Sequence, residues 1–287
     1  MTKYKSPLRY PGGKLGLAPF IAEIIAKNGL SDGIYAEAYC GGAAIALNLV
    51  TGEIVRTVHI NDADFRIYAF WHSVLHSTEH FLRLLWNARL DMAEWHRQKG
   101  ILDDYTDYDL LEVGFATFFL NRCNWSGILS GGPIGGYNQK SNWSLAARFP
   151  KKELANRIKF IALYSDRIKV TNLDALVFLK DIKGAYSPSD RLLVYLDPPY
   201  YSMGDRLYLN YYTPEDHAEL ARYLLHSTHL NWVLSYDDIR EIRDLYQGHR
   251  KSKTEVVYHA NLRKRGRELI MLSPTLQLPE MQGYGKD

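Results

Sequence analysis

The chain is poor in the features that mark secreted, zinc-binding and membrane proteins. Among its 287 residues are only 2 cysteines, Cys40 and Cys123. Two cysteines are too few for a disulfide framework or a cysteine-rich zinc site, so reduced thiols and no bound metal are expected. No apolar run is long enough to cross a bilayer, and no basic segment followed by an apolar run opens the chain. A soluble, cytoplasmic protein without membrane contacts is predicted.

A large excess of either charge is also missing. Lys and Arg together number 35 and Asp and Glu 32, which gives a formal net charge of +3. This mildly basic balance permits nucleic-acid binding but does not require it. Hydrophobic residues make up 46% and charged residues 23%, as in a globular protein with a hydrophobic core. The length suits one large α/β domain with an insertion, or two modest domains.

Strands and helices alternate near the amino terminus. Residues 15–29 predict an amphipathic helix, and IYAEAYC at 34–40 predicts a buried strand. Gly41 and Gly42 then turn the chain into a second helix, and TVHIND at 57–62 predicts a second strand. A strand–glycine turn–helix–strand unit is typical of a parallel sheet that binds ligands at the carboxyl ends of its strands.

The middle of the chain lacks this alternation. Residues 64–120 predict successive amphipathic helices, and the glycine-rich residues 121–139 predict neither a helix nor a long strand. The alternation of strands and helices resumes with the predicted strand IKVTN at 168–172. It continues to a closing pair of predicted strands, EVVYH and RELIML. We therefore predict an α/β, doubly wound domain formed by residues 1–65 and 165–287, with a mainly helical insertion at 66–164.

The sequence Asp197-Pro198-Pro199-Tyr200 directly follows a strongly apolar predicted strand. The amino group of a ring base is a poor nucleophile because its lone pair is delocalised into the ring. A carboxylate and the Pro198 carbonyl can accept its two N–H bonds and stabilise the positive charge that develops when it is methylated. Proline fixes the backbone, and Tyr200 offers a flat face to an extruded base. An ordinary turn also fits these four residues, but their position after a buried strand favours a site.

The segment EAYCGGAAI combines a strand end with a glycine turn. Gly41 and Gly42 let the backbone approach a ligand, although a purely structural turn fits equally well. Asp62 ends the next strand, where an acid can accept both hydroxyls of a ribose. These features indicate an adenosine-bearing cofactor. The Gly-x-Gly-x-x-Gly fingerprint is absent, which argues against a dinucleotide.

The segment RYPGGK at residues 9–14 superficially resembles a phosphate-binding loop, because Lys14 follows two glycines and precedes a helix. The spacing Gly-x-x-x-x-Gly-Lys-Ser/Thr is missing, since Leu15 follows the lysine and no strand precedes the glycines. A nucleotide triphosphatase is therefore disfavoured.

Five ordered motifs together resemble the Dam-type, DPPY-motif DNA adenine-N6 methyltransferases. In chain order they are RYPGGK, AEAYCGGAAIALN, HINDAD, LNRCNWSG and YLDPPY. The resemblance covers nearly the whole chain, and five motifs in order are more specific than any one of them. It implies a Rossmann-like methyltransferase fold, S-adenosyl-L-methionine as the methyl donor, and transfer of the methyl group to a flipped-out adenine in double-stranded DNA.

The resemblance also implies two sets of site residues. The residues that would contact the cofactor are Tyr10, Lys14, Gly41, Gly42, Asp62 and Asp197. The residues that would hold the flipped adenine are Asp197, Pro198 and Tyr200. Asp174 follows the third predicted strand and could approach the cofactor's adenine, but the role of a helix N-cap fits it better.

The insertion resembles the family's target-recognition domain. Trp125 takes an aromatic position that can wedge between base steps, although packing on its own domain fits equally well. Contacts to DNA phosphates are expected from two basic groups. These are Lys140, Arg148, Lys151 and Lys152 near the insertion, and Arg263, Lys264, Arg265 and Arg267 before the last strand. Members of the family that read GATC carry an arginine where this chain has Ser130, so GATC is not predicted as the recognition site.

Two other functions fit parts of the sequence. Methylation of cytosine at N4 uses the same chemistry, but an Asp rather than a Ser at the head of the DPPY motif favours adenine. A catalytically inactive DNA-binding relative would keep the fold, but the intact motif argues against it. The chain is expected to act as a monomer, with a restriction endonuclease of the same system as a candidate partner.

Overall fold

The computed structural model describes residues 4–9, 13–201, 212–227, 229–247, 251–252 and 268–279. Within them, the strands of one sheet are β1 (Ile34–Glu37), β2 (Thr57–Asn61), β3 (Ile168–Thr171), β4 (Leu192–Leu196), β5 (Trp232–Asp237), β6 (Lys251–Ser252) and β7 (Glu268–Leu272). The α-helices are α1 (Ala18–Lys27), α2 (Ala44–Thr51), α3 (Phe65–His76), α4 (Thr78–Asn87), α5 (Met92–Asp103), α6 (Leu110–Cys123), α7 (Lys151–Ala162), α8 (Ala175–Ala185), α9 (Pro214–His226) and α10 (Arg240–Leu245). None of the described helices is long and apolar enough to cross a membrane.

The order of the strands across the sheet creates a ligand-binding crevice. The order is β3-β2-β1-β4-β5-β7-β6, with β1 to β5 parallel and β7 antiparallel to β5. The chain runs outward from β1 through β2 and β3, then returns to the other side of β1 as β4 and β5. This reversal places a topological switch point between β1 and β4, where open α/β sheets bind their ligands. The predicted α/β class is confirmed.

Helices cover both faces of the sheet. The strands β1 and β4 are buried at every residue, as expected of parallel strands between two helical layers. One apolar layer contains Ile21 of α1 and Leu47 of α2. The other contains Phe178 of α8, Leu220 of α9 and Trp232 of β5. These layers fix the sheet and leave the carboxyl ends of its strands available for a site.

The helices α3 to α7 form the insertion between β2 and β3, and α6 lies at its centre. Phe70 of α3 and Phe118 of α6 stack with ring centroids 5.9 Å apart, and Phe81 of α4 packs edge-on against both rings. These side chains belong to the same apolar cluster as Ile21 and Leu47. The insertion is mainly helical, as predicted, and its core is continuous with one layer of the sheet domain.

The glycine-rich segment at 121–139 differs from the prediction in its first turn, because α6 continues through Cys123. Asn121, Arg122 and Cys123 are buried, and this packing extends the helix into a segment that its composition did not favour. Beyond Asn124 the segment is a loop with positive φ angles at Ser126 and Gly127. The predicted strand EVVYH (255–259) lies outside the described residues.

Candidate active site

The carboxyl ends of β1 to β4 open onto one cavity of about 1210 Å³. Its lining includes Lys14, Gly42, Asp62, Asp197 and Tyr200, which the sequence motifs had singled out. The volume exceeds the roughly 300–1,000 Å³ of most small-molecule sites. The cavity is therefore large enough for two ligands side by side.

The first motif and the DPPY motif meet in this cavity. The Lys14 Nζ atom lies 3.3 Å from Asp197 Oδ1 and donates a hydrogen bond of 2.7 Å to the Tyr200 hydroxyl. Lys14 is only 6% exposed, so its charge acts with little screening by water. One lysine thereby holds both the acid and the aromatic ring of the DPPY motif.

Asp197 is also held by the neighbouring strand. Ser235 of β5 donates a 2.7 Å hydrogen bond to Asp197 Oδ1, and its hydroxyl lies 2.8 Å from that of Tyr195 on β4. The Ser235 hydrogen bond and the Lys14 ion pair both act on Oδ1, and together they limit the rotamers that the carboxylate can adopt. Sequence reasoning missed Ser235, which is fully buried. A serine directly after the apolar residues Trp232, Val233 and Leu234 was the signal that could have revealed it.

Asp62 lies directly after β2 and contacts the glycine turn. Its Oδ2 accepts a hydrogen bond of 2.9 Å from the Gly41 amide, and its Oδ1 accepts one of 3.0 Å from the Asp64 amide. Gly41 has φ 44°, a conformation that favours glycine. Burial raises the pKa of Asp62 to about 7, with a further contribution from the nearby Asp64. The acid and the turn thus form one unit at the edge of the cavity.

Glu37 is a cavity residue to which the sequence analysis gave no role. It ends β1, is 3% exposed, and accepts hydrogen bonds from the Ala46 amide at 2.9 Å and the Tyr35 hydroxyl at 3.2 Å. The first of these bonds attaches the first turn of α2 to the end of β1. Burial raises the pKa of Glu37 to about 8. An acid at the end of an apolar strand, before two glycines, was the available signal.

Two tyrosines connect the glycine turn to the start of α9. The hydroxyls of Tyr39 and Tyr212 lie 2.6 Å apart, and both residues line the cavity. The neighbouring ring of His217 lies 5.3 Å from that of Tyr212. This contact joins the segment after β1 to the segment before α9.

The remaining predicted residues lie in several places. The side chain of Asp174 accepts hydrogen bonds from the Leu176 and Val177 amides at 2.9 and 3.3 Å, which confirms the helix N-cap. Trp125 is 64% exposed and Lys140 is also exposed. Five predicted residues lie outside the described residues: Tyr10, Arg263, Lys264, Arg265 and Arg267. Within the described part of the chain, no group of three or more His, Cys, Asp or Glu side chains could hold a metal ion.

Comparison with known proteins identifies one family. The family model described as D12 class N6 adenine-specific DNA methyltransferase matches residues 10–261. No curated protein sequence matches the chain. Among solved structures, the chain is similar to the rRNA methyltransferase aviRa from Streptomyces viridochromogenes, at 12% identity and a TM-score of 0.34, over 93% of this chain and 87% of that chain. A TM-score this low shows nothing about function.

Proposed function

Because the chain belongs to the D12 class N6 adenine-specific DNA methyltransferase family, we propose that its cavity binds S-adenosylmethionine beside a flipped adenine. The observation that carries the proposal is the position of Asp197 at the carboxyl end of β4, in the same cavity as Asp62. In this proposal Asp197 holds the amino group of the adenine and Asp62 holds the ribose of the cofactor. The proposed activity is that of a site-specific, adenine-specific DNA methyltransferase.

The residues at the end of β2 fit the cofactor. In the structure, the carboxylate of Asp62 accepts hydrogen bonds from the Gly41 and Asp64 amides. A carboxylate has about four lone-pair sites, so acceptor sites remain for two ribose hydroxyls. The methionine part would pass over Gly41 and Gly42. The proposed cofactor contacts also include Lys14, Asp197 and Tyr10. The support for Tyr10 is the sequence motif alone.

The DPPY residues would hold the adenine. Asp197 would accept one N–H bond of the amino group and the Pro198 carbonyl the other, which concentrates the lone pair on N6 as positive charge develops. The Tyr200 ring would stack on the base, with its hydroxyl held by Lys14. S-adenosylmethionine supplies an electrophilic methyl group on a sulfonium, so no strong base is required in the rate-limiting step. The N6–carbon bond would form as the carbon–sulfur bond breaks, S-adenosylhomocysteine would leave, and N6 would then lose its extra proton to water.

The insertion at 66–164 is proposed as the target-recognition domain, with 1–65 and 165–287 as the catalytic domain. Trp125 projects into solvent, with 64% of its surface exposed, and this exposure supports a role as a wedge between base steps. Lys140 lies in the same loop and would contact a phosphate. Further phosphate contacts are proposed from the sequence alone for Arg263, Lys264 and Arg265.

We further propose that the substrate is duplex DNA inside the cell and that one copy of the chain acts on each site. A restriction endonuclease that reads the same site is the proposed partner. The mildly basic composition, with 35 Lys and Arg against 32 Asp and Glu, is compatible with a DNA substrate, and the family supports it.

The test measures transfer of labelled methyl groups from S-adenosylmethionine to unmethylated duplex DNA, followed by mass analysis of the nucleosides. Wild-type protein should yield N6-methyladenine. Asp197→Ala should yield none, with an unchanged circular dichroism spectrum. Asp166→Asn is the matched control, because this exposed acid precedes the amino end of β3, at the other edge of the sheet. Detection of N4-methylcytosine in place of N6-methyladenine, or full methyl transfer by Asp197→Ala, would contradict the proposal.

A further inference from the structure

The turn between β1 and α2 has a glycine at both of its central positions. The Ala43 amide closes it with a 2.6 Å hydrogen bond to the Cys40 carbonyl, and Gly41 and Gly42 lie between these two residues. Two adjacent glycines put few steric limits on the peptide that joins them, so that peptide can rotate between opposite orientations. A contact that fixes its orientation therefore decides which of its polar groups a ligand in the cavity meets.

Trp71 of α3 provides such a contact. Its indole Nε1 donates a 2.9 Å hydrogen bond to the Gly41 carbonyl, and the Trp71 side chain is fully buried. A buried N–H and a buried carbonyl each need a partner, because an unpaired polar group in the interior costs free energy. The Gly41 amide is in turn held by Asp62 Oδ2 at 2.9 Å. The protein itself thus holds both backbone polar groups of Gly41.

The Trp71 hydrogen bond also sets the direction of the Gly42 N–H. The peptide between Gly41 and Gly42 is trans, and in a planar trans peptide the carbonyl and the N–H point in opposite directions. Because the Gly41 carbonyl points at Trp71, the Gly42 N–H points away from it. Gly42 lines the cavity, and no acceptor in the described ranges of the chain bonds to its N–H. One backbone donor therefore remains for a ligand.

The start of α2 favours an anion beside this donor. The helix begins at Ala44, no side chain caps its amino end, and both Ala44 and Ile45 line the cavity. The first N–H groups of a helix and its dipole favour negative charge. The methionine part of S-adenosylmethionine carries the only anionic group of that cofactor, a carboxylate. A carboxylate is therefore the ligand group that fits the Gly42 N–H.

Trp71 belongs to the insertion, and the sequence motifs gave it no role. Its ring packs edge-on against Phe70 with the ring centroids 4.8 Å apart, and Phe70 stacks on Phe118 of α6. The helices of the insertion therefore hold the indole in place. A phenylalanine would satisfy this apolar packing equally well, so the hydrogen bond to Gly41 is the feature that requires a tryptophan at this position.

We propose that Trp71 is a positioning residue for the cofactor, because its N–H fixes the Gly41–Gly42 peptide with the Gly42 N–H directed to the methionine carboxylate. This inference rests on the proposed function and adds to it a residue of the insertion. Trp71 acts through the turn, since its own side chain is fully buried. Without its N–H the peptide would adopt the binding orientation only part of the time, and apparent affinity falls by that fraction.

The first test measures binding of two cofactor analogues by calorimetry, without DNA. Trp71→Phe keeps an aromatic ring and removes the N–H, so the Kd for S-adenosylhomocysteine should rise about tenfold. The Kd for 5′-methylthioadenosine, which lacks the amino and carboxyl groups of methionine, should not change. Trp95→Phe is the matched control, because it removes another buried indole N–H of the insertion, bonded to Asn124 at 2.8 Å. It should leave both Kd values unchanged.

The second test compares kinetics and thermal unfolding. In Trp71→Phe the KM for S-adenosylmethionine should rise about tenfold with kcat unchanged, because the lost contact is the same in the ground state and the transition state. A lowered Tm with an unchanged Kd for S-adenosylhomocysteine would assign Trp71 a purely structural role and overturn the proposal. If Trp71→Phe does not fold, replacement of Trp71 by benzothienylalanine, which has sulfur in place of the N–H, allows the same comparison.

The two analogues also separate this inference from the proposed function. Equal weakening of both analogues by Trp71→Phe would overturn the inference, because the effect would not lie on the methionine part. A selective loss of S-adenosylhomocysteine, in a wild-type protein that transfers no methyl group to DNA, would support the role of Trp71 and refute the proposed function. Wild-type protein that binds neither analogue would refute both.

Discussion

Burial raises the pKa values of two carboxyl groups in the cavity. The pKa of Glu37 rises to about 8 and that of Asp62 to about 7. The folded protein therefore holds these protons more tightly than the unfolded chain, where the ordinary values are 4.5 and 3.8. The stability that the neutral forms contribute is present below the unfolded pKa values and is lost as pH rises towards the folded ones. The two acids differ in role, because Glu37 holds α2 whereas Asp62 faces the proposed ribose site.

Glu37→Gln should become more stable relative to wild type as pH rises from 5 to 8. Glutamine keeps an oxygen that can accept from the Ala46 amide, but it has no proton to lose. The difference in free energy of unfolding should shift in favour of the variant by about 3 to 4 kcal/mol, as measured by urea unfolding at both pH values. A difference that is the same at pH 5 and pH 8 would show that Glu37 does not titrate in this range.

Affinity for S-adenosylmethionine should rise with pH because of Asp62. A charged carboxylate can accept both ribose hydroxyls, and at pH 6 a group with a pKa of about 7 is mostly protonated. The Kd at pH 6 should exceed that at pH 8 by up to about tenfold, as measured by calorimetry. Asp62→Asn should bind more weakly and lose this dependence, whereas Glu37→Gln should keep it. A pH-dependent Kd in Asp62→Asn would point to another group.

At the scale of elements, the loop after α6 is held by one buried side chain. Asn124 is fully buried; its Nδ2 donates to the carbonyls of Ile128 and Leu129 at 2.9 and 3.1 Å, and its Oδ1 accepts from Trp95 Nε1 at 2.8 Å. The amide of Trp125 donates to the Gly132 carbonyl at 3.0 Å. These bonds fix the loop to α5 and leave the Trp125 side chain in solvent.

Asn124→Ala should weaken this loop more than the sheet. The change leaves the buried Trp95 N–H and the partly buried carbonyls of Ile128 and Leu129 without this partner, which should lower the free energy of unfolding by about 1–3 kcal/mol. Duplex binding should weaken while affinity for S-adenosylmethionine stays near that of wild type. Asn142→Ala is the matched control, because this asparagine is exposed later in the same loop. Equal loss of cofactor binding and DNA binding in Asn124→Ala would contradict this division of roles.

At the scale of the whole molecule, the insertion and the sheet share a hydrophobic core. One apolar cluster includes Ile21 of α1, Tyr35 of β1 and Phe118 of α6. A fragment limited to the insertion would expose the face that packs on this cluster. The insertion and the sheet should therefore depend on each other for stability, although their proposed roles differ.

The full chain should unfold in a single transition, with coincident curves from tryptophan fluorescence and far-ultraviolet circular dichroism. A fragment of residues 66–164 should lack a cooperative thermal transition, because its apolar face loses its partner. Two separate transitions in the full chain, or a cooperatively folded fragment, would show that the insertion is an independent domain.

The local pattern of the sequence determined the elements and the main acids of the site. Apolar runs predicted β1, β2 and β4 within a few residues of their ends, because a buried parallel strand requires continuous hydrophobicity. The local pattern placed Asp62 and Asp197 each at the end of a strand, and the resemblance of the ordered motifs predicted that the two acids share a site. Asp174 was predicted correctly as an N-cap, since that role depends on neighbouring residues only.

Only the tertiary structure decided which distant side chains meet. The contacts of Lys14 with Asp197, of Ser235 with Asp197 and of Tyr39 with Tyr212 join segments far apart in the chain. Tertiary burial also carried α6 through Arg122. A local pattern records whether a residue favours a helix, a strand or a turn. The environment of a charge depends on which other segments pack around it, and that is fixed only when the whole chain folds.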